Sequence, residues 1–316
     1  MTTAISIRGM GSYIPRLVHD NDSLPPLDKP VSAEALAHIG VQRRGWASEA
    51  ETPAMMGAAA AREALARAGI SELESIDLII VANWTQRRYI PEWAPALQQQ
   101  LGARRAFAFD ISGACTGFVN GCGIARQFLR DARYRRALVV AAETTAARAR
   151  PGSKGTLILG DAAGAFVLEA GEAAGGRLLD CEMRSYGEHH GIMDTTPEGG
   201  WVRTHIPQRE LNQLAARTMA EVCASVLERN GLGLDDIDWL VPHSGTRGVQ
   251  AKVQATLGMD PDKILTNYAE VGNVSSASIP VALDHFVREG RVRPGELVLS
   301  PAVGTGWYGA AMLLRV

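Results

Sequence analysis

The stretch Asp110-Ile-Ser-Gly-Ala-Cys115-Thr-Gly-Phe-Val-Asn-Gly121 decides how this chain is read. An apolar run from Ala106 to Phe109 leads into it. Beyond it, Phe118, Cys122, Ala125, Phe128 and Leu129 recur at the spacing of one helix face. Strand, tight turn, helix is the arrangement that places a side chain at a helix N-terminus. There, unpaired N–H groups and the positive end of the dipole favour a thiolate. Gly113, Ala114 and Gly117 leave space beside the sulfur for a substrate. Read alone, the stretch fits equally a small buried cysteine, since unpaired Cys is commonly buried and inert.

Composition narrows the alternatives. Of 316 residues, 46% are hydrophobic and 21% charged, an ordinary globular balance with enough apolar material for a large core. The formal net charge of −2 points to no nucleic-acid partner. Cys115, Cys122, Cys181 and Cys223 are well separated, with no C-x-x-C pair. This argues against a disulfide framework or a structural zinc site and fits a reducing cytoplasm. The opening Met-Thr-Thr-Ala-Ile-Ser-Ile-Arg has no charged-then-apolar signal, and no run approaches the ~18 apolar residues of a membrane span.

Outward from the cysteine, the elements alternate. Ile5 to Ile7 reads as an edge strand, residues 18–31 as a loop, and Ser32 as the cap of a helix over Ala33 to Ile39. Val41-Gln-Arg-Arg44 reads as an exposed basic turn. Thr52-Pro53 opens a helix running to Ala68, and Ile76 to Ala82 is a buried strand. Residues 84–92 form a loop, followed by a helix over Ala94–Leu101. Arg136 to Ala142 is a strand, residues 148–156 a polar loop, and Leu157 to Leu168 a glycine-interrupted strand. Gly171 to Gly176 is the best boundary, dividing 1–172 from 173–316. Then come a strand over Arg177–Tyr186, a long loop over 187–206 holding His205 and, in solvent, His189 and His190, and a helix over Glu210–Asn230.

The pattern repeats. Helix Leu211–Asn230 and strand Ile237-Asp238-Trp-Leu-Val match helix Met55–Ala68 and strand Ile76-Asp77-Leu-Ile-Ile, the two Ile-Asp pairs lying 161 residues apart. The same shift carries the cysteine turn onto Gly272-Asn273-Val-Ser-Ser-Ala, again before a helix, Ile279 to Arg288. Strand Ala137–Val140 has its counterpart at Glu296–Leu299. Two α/β halves of one design are therefore expected. Cys115, His243 after the strand Ile237–Val241, and Asn273 in the turn equivalent to the cysteine turn all fall beyond carboxyl ends of strands, where α/β sites gather. Singly, His243 fits a loop filler and Asn273 a left-handed turn residue. Together, in matching places of a duplicated pattern, they point to catalysis.

Asp110-Ile-Ser-Gly-Ala-Cys-Thr-Gly-Phe, Val241-Pro-His and Gly272-Asn-Val-Ser-Ser-Ala-Ser-Ile-Pro-Val-Ala-Leu resemble the ketoacyl-acyl-carrier-protein synthase III branch of the thiolase-like condensing enzymes. Gly160-Asp-Ala-Ala-Gly-Ala and Gly304-Thr-Gly-Trp-Tyr-Gly-Ala share the resemblance, which covers nearly the whole chain. It implies a thiolase-like duplicated five-layered αβαβα fold and a homodimer. It further implies a Cys115–His243–Asn273 site that takes an acyl group from a coenzyme A or carrier thioester and condenses it with a malonyl-type extender, with no metal or organic cofactor. In that chemistry Cys115 is the nucleophile. Backbone N–H groups at Cys115 and the Gly304–Gly306 turn form an oxyanion hole, and His243 and Asn273 donate to the enolate left by decarboxylation. Trp84, Tyr89, Ile90 and Trp93 are expected to line an acyl tunnel with Thr246, the aromatic residues alternatively being core or dimer packing. Arg247 and Lys252 are expected to meet an acyl carrier protein, or to be a solvated helix face.

The chain departs from the family pattern in four places, one being the bulky Trp84-Thr-Gln-Arg-Arg-Tyr-Ile-Pro91 in place of smaller residues common at the tunnel wall. The usual His-Gln-Ala-Asn run is His243-Ser-Gly-Thr246. The tryptophan and arginine that clamp the adenine end of coenzyme A are absent from Glu34-Ala-Leu-Ala-His38-Ile-Gly-Val. Lys154 stands near a usual arginine. These departures point away from an acetyl-coenzyme A primer and toward a specialised-metabolism paralogue. They leave open a rival on the same fold that passes the acyl group to a hydroxyl or amine. A papain-like peptidase also uses Cys, His and Asn, but its local C-G-S-C-W signature is absent. An inactive partner subunit would have lost a nucleophile or base that this chain keeps.

Overall fold

A computed structural model describes residues 3–172, 174–243 and 245–316. In chain order its first half contains β1 (Ile5–Tyr13), β2 (Leu17–Asp20), α1 (Ala33–Ile39), β3 (Arg43–Trp46), α2 (Pro53–Arg67), β4 (Leu78–Ala82), α3 (Trp93–Leu101), β5 (Phe107–Ile111), α4 (Gly117–Phe128), β6 (Arg136–Thr144) and β7 (Asp161–Ala170). The second contains β8 (Gly176–Ser185), β9 (Met193–Thr195), β10 (Val202–Thr204), α5 (Gln208–Asn230), β11 (Trp239–Leu240), α6 (Arg247–Leu257), α7 (Tyr268–Val271), α8 (Ser278–Arg288), β12 (Leu297–Gly304) and β13 (Tyr308–Arg315). Local chemistry sets several boundaries. Ser32 and Thr52 accept the N–H groups of Ala35 and Met55 at the starts of α1 and α2, and Gly231 ends α5 at φ 64°.

Nine strands form one mixed sheet, ordered β11-β12-β13-β8-β1-β7-β6-β4-β5. In the first half β4 pairs in parallel with β5 and β6, and β6, β7 and β1 continue antiparallel. From the opposite edge, β11 and β12 are parallel and β13 and β8 continue antiparallel. The halves meet where β1 pairs with β8 at Ser6↔Arg177 and Ile7↔Gly176.

Strand alternation distributes the core, because successive side chains face opposite layers. In β4, Ile79 and Val81 face α2 and α3 with Met56, Leu65 and Leu97. Leu78, Ile80 and Ala82 face α4, joining Phe118, Cys122 and Leu129 and, from the other half, Val281, Leu283 and Met312. α5 and α6 cover the remaining outer face through Met219, Val222 and Val253 over Leu299 and Leu313. Helix, sheet, helix, sheet, helix is the resulting five-layered order. Phe118 and Phe166 meet edge-on in the middle layer, with centroids 4.9 Å apart. Burying each such ring contributes about 1.5–3 kcal/mol. Between the halves, Asp284 of α8 is buried and accepts Arg67 of α2 and the Ser12 hydroxyl of β1.

Several expectations change. β1 lies inside the sheet, between β7 and β8, and is not an edge. Leu17–Asp20, expected as loop, pairs with β3. Arg44, expected in an exposed turn, is fully buried in β3. The reason is a set of oxygens around its guanidinium: it donates to Asn21 Oδ1 and to the Leu157 carbonyl, both at 2.6 Å. Burial still pushes its pKa down to about 10. Leu157 to Gly160 are not strand, and β7 begins only at Asp161. The 187–206 loop contains the hairpin β9–β10. The expected boundary is the connection from β7 to β8, and Ala173, where the second half was to begin, lies outside the described residues. Among the described residues no helix is long and apolar enough to cross a membrane.

β1 lies directly on α2. A Cβ on Gly11 would stand 2.3 Å from the Ala60 carbonyl oxygen and 2.6 Å from the Ala64 nitrogen, both backbone atoms of a packed helix. Gly11→Ala is expected to cost about 1–3 kcal/mol. The check is a lowered denaturant midpoint with unchanged slope.

Candidate active site

Cys115 sits in a 3-10 turn, Ala114–Thr116, that runs straight into α4. The Thr116 hydroxyl closes the turn on the Gly113 carbonyl at 2.7 Å. One repeat later, the turn Ser275–Ala277 runs into α8 in the same way. The first residue of each turn is left-handed, Ala114 at φ 46° and Ser275 at φ 53°. Non-glycine residues hold that conformation only where the surroundings impose it.

Asn273 is held at three points. Its N–H donates to Ile158 O at 2.7 Å, its carbonyl accepts Gly160 N–H at 3.1 Å, and its Oδ1 accepts Ser275 N–H at 2.9 Å. With that oxygen engaged, the amide N–H₂ is the group it offers to the cavity it lines. His243 follows β11 and extends its pairing with β12, donating its N–H to Pro301 O at 2.8 Å. Its Nδ1 lies 3.2 Å from the Ser278 hydroxyl.

Cys115, His243 and Asn273 share one cavity of about 300 Å³. Gly304, Thr305 and Trp307 form part of its wall. Gly304 must be glycine here: a Cβ would stand 2.8 Å from Gly113 O and 3.1 Å from Cys115 N. The close approach brings the Cys115 and Gly304 backbones together beside the sulfur.

Burial keeps the Cys115 thiol and the His243 imidazole uncharged at rest. It pushes the Cys115 thiol up to about 12, helped by the nearby Glu143 carboxylate and opposed by a hydrogen bond from Ser275. The expected help from the helix end does not overcome this desolvation. Burial also lowers His243 to about 4, with the Ser275 backbone acting in the opposite direction, so the imidazole is neutral at pH 7. Glu143, at the end of β6, is raised to about 7 by burial, although Ser276, Trp84 and Thr85 all donate to it.

The other expected site residues divide. Thr246 caps α6 and lines the cavity beside Gly245; Ser244 lies outside the described residues. Arg247 and Lys252 are exposed on α6, which supplies Val249 to the cavity. Gly306 does not line the cavity. It is left-handed at φ 84° and packs on the Tyr308 ring, so Gly304 is the glycine of that turn beside the sulfur. Trp84 does not line it either; its indole turns to Ser275. Tyr89 and Ile90 are 88% and 93% exposed and stand away from the sulfur. Trp93 is core, capped by Asp110. Gly113 and Gly117 leave no room for substrate: a Cβ on Gly117 would meet Ala82 and Ser276, and one on Gly113 would meet Asn120. Sequence reasoning missed the walls formed by Arg148, Arg150 and Ser153, by β9–β10, and by Gln208, Leu211 and Ala215 of α5. The helical spacing of the last three was the available signal. Among the described residues no three His, Cys, Asp or Glu side chains converge as a metal set.

Comparison with known proteins matches this architecture. The family described as 3-oxoacyl-[acyl-carrier-protein (ACP)] synthase III matches residues 109–187, and its C-terminal counterpart matches residues 227–316. A β-ketoacyl-[acyl-carrier-protein] synthase III of Rhizobium meliloti is 37% identical over 320 residues, spanning 98% of both chains. The chain belongs to the 3-oxoacyl-[acyl-carrier-protein] synthase III family. The crystal structure of the Aquifex aeolicus synthase III superposes with a TM-score of 0.91 at 34% identity, covering 99% of this chain and 100% of that one. The priming β-ketosynthase of the R1128 polyketide pathway superposes at 0.90 with 28% identity, covering 99% and 96%.

Two outcomes follow from this geometry. Gly304→Ala should slow reaction at Cys115 by ~10²-fold through displacement of its turn, read as the rate of acyl-adduct formation by intact mass. Glu143 binds a proton in the folded chain that the unfolded chain has lost, from pH 4.5 up to about 7. Its contribution to stability therefore falls as pH rises across that window. Relative to the parent, Glu143→Gln should become progressively more stable from pH 4.5 to about 7 and keep that advantage at higher pH, as measured by denaturant titration at stepped pH.

Proposed function

We propose that this synthase III family member is an acyltransferase of the condensing kind, working through Cys115, His243 and Asn273. The supporting observation is that one cavity receives a thiol, a neutral imidazole and an amide whose oxygen is already engaged. In the first half-reaction Cys115 passes its proton to His243 and its sulfur attacks the acyl carbonyl of a thioester. The donor thiol leaves with that proton. The Cys115 and Gly304 N–H groups receive the oxyanion. In the second, a malonyl-type thioester loses carbon dioxide. The neutral His243 and the Asn273 amide hold the enolate oxygen, and the carbanion takes the acyl group from sulfur. Simple transfer to an alcohol or amine makes no comparable use of Asn273, fixed at three points in the turn before α8.

The donor we favour is carried by an acyl carrier protein, with Arg247 and Lys252 on exposed α6 facing its acidic surface. The absence of an adenine clamp near His38 supports this, and a place in specialised rather than housekeeping acyl metabolism fits it. No cofactor enters the proposed chemistry. A homodimer is supported by the unpaired edge of β5, where Phe107 is 55% exposed, and by the apolar tip at Tyr89 and Ile90. Four free cysteines fit a cytoplasmic location.

Intact-protein mass spectrometry against a panel of acyl-coenzyme A and acyl-carrier thioesters tests the first half-reaction. An acyl adduct is expected on the parent and absent from Cys115→Ala. Adding malonyl thioester should discharge the adduct to a product lighter by carbon dioxide than simple joining would give. Asn273→Ala should lower that discharge ~10²–10³-fold and leave acylation within a few-fold. Discharge to an alcohol or amine without loss of carbon dioxide would replace condensation with simple transfer.

A further inference from the structure

We infer that Trp84 and Ser275 form a hydrogen-bond relay that positions the Cys115 sulfur and supports its thiolate. This deepens the reading of Cys115 as nucleophile and rests on it. The Trp84 indole Nε1–H donates to Ser275 Oγ at 2.6 Å, and Ser275 Oγ donates to Cys115 Sγ at 3.3 Å. The direction is fixed by what each group can do. An indole N–H only donates, and a serine hydroxyl has a single proton. With its oxygen already accepting from Trp84, Ser275 turns that proton toward the sulfur.

Both members of the relay are held by the same buried carboxyl. Glu143 Oε2 accepts the backbone N–H groups of Trp84 and Thr85, each at 3.3 Å, and the Thr85 hydroxyl at 2.7 Å. The Thr85 hydroxyl in turn accepts Thr144 N–H at 2.8 Å, which commits its proton to Glu143. Glu143 Oε1 accepts the Ser276 hydroxyl at 2.5 Å. One carboxyl therefore grips the segment that carries Trp84 and the turn that carries Ser275. That turn is further set by the left-handed Ser275 and its N–H bond to Asn273 Oδ1. Trp84 belongs to the first half and Ser275 to the second, so the relay exists only when the two halves are packed.

The thiolate gains more from this arrangement than the thiol does. A hydrogen bond to an ionised acceptor is about twice as strong as one between neutral groups. The sulfur lies in a desolvated site beside Glu143, whose carboxylate opposes its ionisation. Ser275 supplies the opposing favourable contact, and Trp84 keeps its proton from turning elsewhere. The relay gives up no proton. During acylation the Cys115 proton goes to His243, sulfur bonds to the acyl carbon, and the donor thiol leaves with that proton. Ser275 and Trp84 are positioning residues in this step.

Iodoacetamide reads the sulfur without any thioester, so this test stands apart from the choice of acyl donor. Alkylation of Cys115 is followed at peptide level across alkaline pH in the parent, Ser275→Ala and Trp84→Phe, each first checked for folding by circular dichroism. The quantity read is the pH midpoint of the rate, which a mere gain of access would not move. Ser275→Ala should shift it upward, making alkylation about tenfold slower at a fixed pH below the plateau. Trp84→Phe should shift it the same way by ~3-fold. Parent-like midpoints in both Ser275→Ala and Trp84→Phe would overturn the relay and leave these residues a packing role only.

Discussion

The closeness of three backbone segments, Gly113–Gly117, Ser275–Ser278 and the end of β12, is the constraint on which the active site depends. Gly117 leaves no room for a Cβ between Ala82 and Ser276, and Gly304 leaves none against Gly113 and Cys115. The approach is possible because α4 and α8 occupy one layer between the two halves of the sheet. Their first turns therefore meet at the centre of the molecule. The duplicated pattern gives each half the same turn. Cys115 stands in one and Ser276 in the equivalent place of the other, where its hydroxyl holds Glu143.

Desolvation then decides the electrostatic state of the site. The thiol, the imidazole and the Glu143 carboxyl are all displaced toward their neutral forms, to about 12, about 4 and about 7. A charge in such a place is costly unless donors are already aimed at it. The donors are aimed: Ser275 at the sulfur, Asn273 with its oxygen engaged elsewhere, and the Gly304 and Cys115 backbones side by side. The cavity is built to receive charge as the reaction creates it rather than to store it.

Much of the site was legible because each residue sits in a short local motif: Cys115 and His243 follow strands as expected, whereas Asn273 follows α7 and not a strand, in the turn that repeats the cysteine turn. The two-half design was legible in the spacing of helices and strands. Loop side chains were not. Trp84, Tyr89 and Ile90 are near neighbours in sequence, yet one is bonded to Ser275 while the other two stand in solvent. Gly304 and Gly306 lie in one turn, yet only Gly304 lines the cavity. Arg44 read as a solvated charge and is buried, because carbonyl and amide oxygens from two separate segments, 19–21 and Leu157, surround it.

The sequence by itself determined most helices and the core strands, their order, several caps and the three residues that meet in the cavity. Those depend on periodicity and on contacts within a few residues. Only the tertiary structure decided which glycines make room for substrate and which for neighbouring backbone, where the Trp84 indole points, and which groups are neutral. Each of these depends on atoms far apart in the chain. Desolvation in particular is a property of everything that surrounds a group, and no local stretch of sequence carries it.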